Sequence, residues 1–170
     1  MTAEDSEAGN ESEREKKALT EFLAAQRASV LAIVDGLDAR ALTTPVVPSG
    51  WTPLGLTEHL GYAERHWFQE VAAGSAEPLN WPDDHAPLTT PRPPEVVFAF
   101  YREQCRRSDA VLSATPLSAP PVGRHPGPGG DDVTDLRWIV LHMIEETARH
   151  AGHLDLAREL LDGRTGLGPR

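Results

Sequence analysis

The sequence has little of several features that define whole classes of protein. It contains a single cysteine, Cys105, which excludes an intramolecular disulfide framework and a zinc site made of four thiolates. No apolar run approaches the roughly 20 residues that a membrane-spanning helix needs. The acidic N-terminus lacks the basic and then apolar pattern of a secretory signal. These absences predict a cytoplasmic protein.

Positive charge is also scarce. The 170 residues include 16 Lys and Arg against 26 Asp and Glu, for a net charge of −10. Nucleic-acid binding depends on cationic surfaces, so we expect no nucleic-acid partner, and the lack of apolar runs predicts no membrane partner. Apolar residues make up 39% and charged residues 25%, a balance typical of one packed domain of this length.

Apolar residues recur at three- and four-residue steps, which predicts amphipathic helices. The pattern covers four segments, approximately 19–37, 52–74, 94–114 and 134–162. No strand-like alternation is present, so the expected fold is an all-α four-helix bundle. Residues 1–13 are acidic and carry no apolar periodicity. They predict a disordered acidic leader before a bundle domain at 14–170.

Two connectors rich in proline and glycine separate the later helices. Residues 75–94 contain six prolines, and a loop of about 20 residues in a compact domain usually forms a lid or a site wall. The second connector, residues 115–133, follows the third predicted helix. His85 and His125 lie in these connectors, where no periodicity indicates their orientation.

Chemically reactive residues are concentrated on the fourth predicted helix. At 100° per residue, Glu146 and His150 fall within the apolar stripe, whereas the adjacent Glu145 falls outside it. The i, i+4 spacing places Glu146 and His150 one turn apart on the same face. A buried carboxylate is costly unless it is paired or bound to a cation. His142 and His153 fall at the edge of the same stripe.

The second predicted helix offers a third ligand. His59 shares a helical face with Leu56 and Ala63, so it is expected to point inward. Two imidazoles and one carboxylate, with an open coordination position, are typical of a catalytic zinc site. The HExxH motif is absent because Met143 follows His142, which excludes the zinc proteases that carry it.

Structural explanations compete with the metal hypothesis. A lone inward histidine such as His59 is usually a hydrogen-bonded core residue. Glu146 and His150 can also form a hydrogen bond with each other, which would explain their inward positions without a metal. His66 lies two turns beyond His59, about 10 Å away, which is too far to share its ion. The remaining large or reactive side chains are expected to serve packing: Trp51, Trp67, Trp138 and Cys105.

Two segments carry a family resemblance. WTPLGLTEHLGYAERHWF (51–68) and HMIEETARHAGHLDLARELLDGRTG (142–166) resemble the DinB-like (YfiT-like) superfamily, and residues 18–50 fit it as well. The resemblance implies an up-down-down-up four-helix bundle that binds a divalent metal, zinc or nickel. By motif the metal ligands are His59, Glu146 and His150. Many members have two histidines on the last helix, whereas this Glu–His pair resembles the branch of the mycothiol-dependent maleylpyruvate isomerase N-terminal domain.

The resemblance implies a thiol-S-transferase that activates a low-molecular-weight thiol on the metal for attack on a small electrophile. All but two of the basic residues are Arg, which suggests a GC-rich genome and favours mycothiol over bacillithiol as co-substrate. His142 or His153 would orient Glu146 or transfer a proton.

Two other functions are compatible with the same residues. One is a metal-dependent hydrolase that activates water on the same ion. The other is a non-catalytic, stress-related binding bundle in which the polar stripe is structural. Homodimers are common in the family that the sequence resembles, so a homodimer is also expected.

Overall fold

A computed structural model describes residues 3–75, 86–127 and 129–166 and shows the expected all-α fold. Within these ranges there is no β-strand. The helices are α1 (Ala3–Val34), α2 (Ala39–Leu42), α3 (Pro53–Glu64), α4 (Pro94–Ala114) and α5 (Leu136–Asp162). A π-helical segment, Arg65–Ala72, continues α3 without a break. None of the helices in the described ranges is long and apolar enough to cross a membrane.

Capping residues account for the ends of α3 and α5. The Thr52 hydroxyl accepts a hydrogen bond from the Gly55 amide at 3.1 Å, and Pro53 opens the helix, as the sequence predicts. The cap of α5 is Asp135, one residue after Thr134 at the start of the predicted segment, and its carboxylate accepts from the Trp138 amide. Both residue types are favourable caps, so the sequence alone left the boundary uncertain by one residue.

The acidic N-terminal segment supplies the first turns of α1. The structure extends α1 back to Ala3, so residues 3–13 are helical, while Met1 and Thr2 lie outside the described residues. Residues 9–13 are exposed and bury nothing against the bundle. Propagating an existing helix costs much less than nucleating one, and the packed remainder of α1 supplies the nucleus. The division into a leader at 1–13 and a domain at 14–170 stays a prediction.

Side-chain contacts show the direction of α1 relative to α5. Arg137, at the start of α5, bonds to Glu15 in the first half of α1. Arg158, near the end of α5, donates to the carbonyl oxygen of Ile33 at the end of α1. The residue numbers rise together along both helices, so α1 and α5 are parallel.

The two middle helices run in the opposite direction. Trp67 contacts Trp138 and His59 contacts Glu146, so the numbers along α3 fall as those along α5 rise. Leu54 packs in the same cluster as Val97, while Val71, near the end of the π-helical segment, packs with Leu112. Helices α3 and α4 are therefore parallel to each other. The result is the up-down-down-up bundle that the family resemblance implies.

A buried ion pair links three of the helices. Arg27 of α1 donates to both carboxylate oxygens of Glu64 on α3, at 2.7 and 2.6 Å, and to Asp109 on α4 at 2.7 Å. The Arg27 and Glu64 side chains are almost completely buried. A paired charge of this kind makes the packing of α1 against α3 and α4 specific, because removing either partner leaves the other buried and uncompensated.

The described part of the first long connector packs against the start of α3. The Leu88 carbonyl accepts from the Thr52 amide at 3.0 Å. A Cβ atom on Gly55 would lie 2.1 Å from the same carbonyl oxygen, so glycine is required for this close approach. Residues 76–85 lie outside the described residues, and the lid expected at 75–94 therefore stays a prediction.

Candidate functional site

Polar side chains meet where α3 faces α5, in the position that the sequence predicts. Glu146 Oε1 lies 3.2 Å from His59 Nε2 and 2.9 Å from His150 Nε2. The His59 and His150 rings meet edge to face, with centroids 5.1 Å apart. Because a carboxylate only accepts hydrogen bonds, both imidazoles present an N–H to one oxygen atom. The three predicted ligands therefore converge.

The burial of this group is partial. The exposed fractions of the His59, Glu146 and His150 side chains are 24%, 17% and 13%, so a small ligand can reach them from solvent. The hydrogen bonds from His150 and His59 hold the pKa of the Glu146 carboxyl well below its usual range, although burial acts in the opposite direction. Glu146 is therefore a carboxylate at neutral pH, the form that binds a cation.

The geometry suits a metal ion. One ligand atom from each of His59, Glu146 and His150 lies within 4.8 Å of the other two. Among the described residues no other group of three His, Cys, Asp or Glu side chains converges in this way. Two imidazole nitrogens and one carboxylate oxygen form a donor set that zinc accepts, with one coordination position left for a substrate.

His153 contacts the ligand pair through His150 rather than through Glu146. The Nδ1 atoms of His150 and His153 lie 3.2 Å apart, and His153 is exposed on its outer side. Burial and the neighbouring His150 lower the pKa of His153, so its ring is neutral at pH 7. The His153 ring also approaches Trp51, with centroids 6.1 Å apart. The structure thus places His153 beside a candidate ligand.

His142 lies one helical turn before Glu146 and packs among aromatic rings. Its ring stacks on Trp138 at 5.3 Å, with an interplanar angle of 14°, and meets Trp67 at 4.5 Å. Burial lowers the pKa of His142, so this imidazole is also neutral at pH 7. The expected packing role of Trp67 and Trp138 is confirmed, because Trp67 belongs to a buried core cluster and Trp138 packs against it.

Comparison with known proteins identifies the family. The Mycothiol-S-transferase family matches residues 18–163, which is most of the chain. This chain belongs to the mycothiol S-transferase family. That family is a member of the DinB-like superfamily, so the resemblance inferred from residues 51–68 and 142–166 is confirmed. No curated protein and no solved structure matches the chain.

Membership of the mycothiol S-transferase family gives the three converging residues a chemical context. A transferase that uses a thiol needs a way to generate the thiolate, since free thiols are mostly protonated at neutral pH. Cys105 does not serve this purpose, because burial raises the pKa of its thiol to about 12. Cys105 is partly buried and packs against the core, in line with the prediction that it serves packing.

A second polar cluster lies beside Trp67. His66 Nδ1 bonds to Glu70 Oε2 at 2.8 Å, and His66 Nε2 bonds to His125 Nδ1 at 2.9 Å. The His125 ring stacks on Trp67 with centroids 4.8 Å apart. The sequence predicts that His66 cannot reach the ion held by His59, and in the structure it bonds to Glu70 and His125 instead.

Sequence reasoning missed the part that Glu70 and His125 play in this cluster. The i, i+4 spacing of His66 and Glu70 predicts the hydrogen bond between these two side chains. His125 gave no comparable signal, because its position depends on how the second connector folds back onto the π-helical segment.

Proposed function

We propose that this chain is a metal-dependent transferase that activates mycothiol for attack on a small electrophile. Membership of the mycothiol S-transferase family over residues 18–163 supports the thiol transfer. The convergence of His59, Glu146 and His150 within 4.8 Å is the observation that carries the metal dependence.

The donor set favours zinc as the resident ion. Two imidazole nitrogens and one carboxylate oxygen leave a fourth position open in a tetrahedral site, the arrangement of catalytic rather than structural zinc. Nickel also accepts imidazole donors and is the alternative ion. A bound divalent cation supplies a Lewis acid that lowers the pKa of a coordinated thiol, which otherwise lies near 8.5.

His153 is proposed as the residue that positions His150. When Nε2 of His150 serves as a metal ligand, its Nδ1 carries the proton and donates to His153 Nδ1, 3.2 Å away. This bond fixes both the tautomer and the ring orientation. Because His153 is exposed and neutral at pH 7, its Nδ1 can instead take the proton of the arriving thiol when this bond opens, and release it to water.

His142 is proposed as a second group for proton transfer. The Trp67 and Trp138 rings hold its orientation, and its lowered pKa keeps the proton-accepting form at neutral pH. Its position one turn before Glu146 and outside the ligand set supports this role.

The proposed partners are a small electrophile and mycothiol, with no nucleic acid or membrane. A cytoplasmic location fits this chemistry, because the cytosol keeps thiols reduced. A homodimer is expected from the family resemblance alone, and no step of the proposed reaction depends on it.

The decisive experiment uses protein purified without a histidine tag and loaded with one equivalent of zinc. Monochlorobimane serves as the electrophile, with and without mycothiol, and the fluorescent conjugate is followed over time. We expect conjugation to require both thiol and zinc, and to stop when a chelator is added.

Two results would replace this proposal. Turnover of ester or amide substrates without any thiol would indicate the hydrolase. Absence of stoichiometric metal, together with a melting temperature that chelator does not change, would favour the non-catalytic bundle.

A further inference from the structure

The second connector is hydrogen-bonded to the end of the π-helical segment. The amides of Val122 and Gly123 donate to the carbonyls of Ala72 and Val71, at 3.2 and 2.9 Å. These carbonyls lie at a helix C-terminus, where no intrahelical partner is available. A Cβ atom on Gly123 would lie 2.2 Å from the Glu70 carbonyl oxygen. Only glycine therefore allows this approach, which brings the following residues against Trp67.

Two more glycines shape the backbone around His125. A Cβ atom on Gly127 would lie 2.6 Å from His125 Nε2, and one on Gly130 would lie 2.2 Å from the His125 carbonyl oxygen. A side chain at 127 would cover the outer nitrogen of the imidazole. Glycine at this position leaves that nitrogen accessible, so the local sequence favours an open His125 ring.

A hydrogen-bond chain ties the proton position on His125 to that on His66. Glu70 only accepts, so the Nδ1 of His66 is its donor. With that single proton on the His66 ring, its Nε2 accepts from His125 Nδ1. The remaining nitrogen, His125 Nε2, is left as a hydrogen-bond acceptor. Burial, with His66 and His142 nearby, lowers the pKa of His125 and keeps this neutral form at pH 7.

A recess of about 550 Å³ opens at His125 and is lined by residues 124–127 and 129–132. Its volume falls in the range of small-molecule sites. The Arg124 guanidinium pairs with Asp131 at 2.9 Å, and Asp132 adds a second exposed carboxylate. The lining thus offers hydrogen-bond donors and acceptors together. Its two carboxylates against one guanidinium disfavour an anionic ligand.

The recess is close to the candidate metal centre. His125 stacks on Trp67, Trp67 contacts His142, and His142 lies four residues, about 6 Å along the helix axis, before Glu146 on α5. Two ring contacts and one helical turn therefore separate His125 from the proposed ligands. This short chain of contacts keeps His125 near the proposed ligands.

We propose that this recess binds an uncharged polyhydroxylated group, namely the amino-sugar and inositol portion of mycothiol, with His125 Nε2 accepting from one hydroxyl. The inference rests on the proposed function for the identity of the thiol. Sugar hydroxyls both donate and accept, which matches the mixed lining of carboxylates, guanidinium and imidazole. His66 and Glu70 act as positioning residues, because they fix the tautomer of His125.

The kinetic test compares mycothiol with N-acetylcysteine, a thiol without the sugar and inositol, in the zinc-loaded protein. We expect His125→Ala and Asp132→Asn to raise the KM for mycothiol by about tenfold, the effect of one lost hydrogen bond, with kcat nearly unchanged. Turnover of N-acetylcysteine should stay at the wild-type level. Glu159→Gln, on the exposed face of α5, is the matched control and should change the kinetics with neither thiol.

Calorimetric titration with N-acetylglucosaminyl-inositol, the uncharged portion that lacks the thiol, provides a readout without catalysis. Saturable binding to the full chain that His125→Ala abolishes supports the recess. Equal losses for both thiols would overturn the proposal, because His125 would then act on the reaction itself. Unchanged kinetics and no fragment binding would overturn it as well. A wild-type protein that conjugates neither thiol contradicts the proposed function, while fragment binding still decides the recess.

Discussion

Two adjacent glutamates show how much depends on one residue step along α5. Glu145 points to solvent and pairs with Arg149, whereas Glu146 points toward α3 and accepts bonds from His59 and His150. A step of 100° around the helix separates these environments. The same side-chain chemistry therefore gives a surface ion pair of small energetic value at 145 and a candidate metal ligand at 146.

The pair supplies a matched test of the metal centre. Glu146→Gln should lower the zinc affinity by more than about 100-fold, because it removes the anionic donor from a set of three. Glu145→Gln should leave the affinity unchanged. Zinc affinity is measured by competition with a chromophoric chelator, and circular dichroism checks that both variants keep the helix content of the wild type. Equal affinities for the two variants would remove Glu146 from the ligand set.

At the scale of elements, the π-helical segment and the second connector depend on each other. A π-helical turn is rare and is frequently found at functional sites. Here the segment carries His66, Trp67 and Glu70, and its last carbonyls accept from Val122 and Gly123. The connector amides thus donate hydrogen bonds to the carbonyls at the end of the helix. The same connector places the His125 ring against Trp67.

Two glycine-to-alanine substitutions distinguish the effect of connector packing on stability from the effect of helix propensity. Gly123→Ala should destabilise the protein by about 1–3 kcal/mol, because its Cβ would meet the Glu70 carbonyl and force the backbone apart. Gly152→Ala, where a Cβ meets nothing within 4 Å on the exposed face of α5, should stabilise it by about 0.5–1 kcal/mol. Urea unfolding of both variants measures the difference. Equal effects of the same sign would show that the connector does not rest on this contact.

These elements also show what sequence could predict and what it could not. The helices, their up-down-down-up order and the inward positions of Glu146 and His150 follow from a 3.6-residue period and a family motif, which are local properties. The docking of the second connector depends on contacts between distant residues, such as Gly123 with Val71. No period in the connector reports that contact, so His125 could not be placed from the sequence.

At the scale of the whole molecule, buried ionisable groups link folding to pH. Cys105 and Tyr101 lie close together on α4, near the Arg27–Glu64 ion pair. Burial raises the pKa of both groups, that of Cys105 from 9.0 to about 12. A group with a raised pKa in the folded state keeps its proton there longer than in the unfolded chain. The contribution of the protonated Cys105 thiol to the free energy of unfolding is therefore fully present below pH 9 and is lost as the pH rises toward 12.

Cys105→Ala isolates the thiol's share of this alkaline instability. At pH 10 the unfolded thiol is mostly ionised and the folded one is not, so the wild type should lose about 1.4 kcal/mol between pH 8 and pH 10 through this group. Cys105→Ala is less stable at pH 8, because it loses packing, but its stability should fall less over the same interval, since only Tyr101 and the exposed groups still titrate. Urea unfolding of the wild type and the variant at both pH values, with chelator present throughout, measures how far the free energy of unfolding of each falls with pH. Parallel slopes would mean that water reaches the Cys105 thiol in the folded protein, and rapid alkylation of the native chain would then be expected as well.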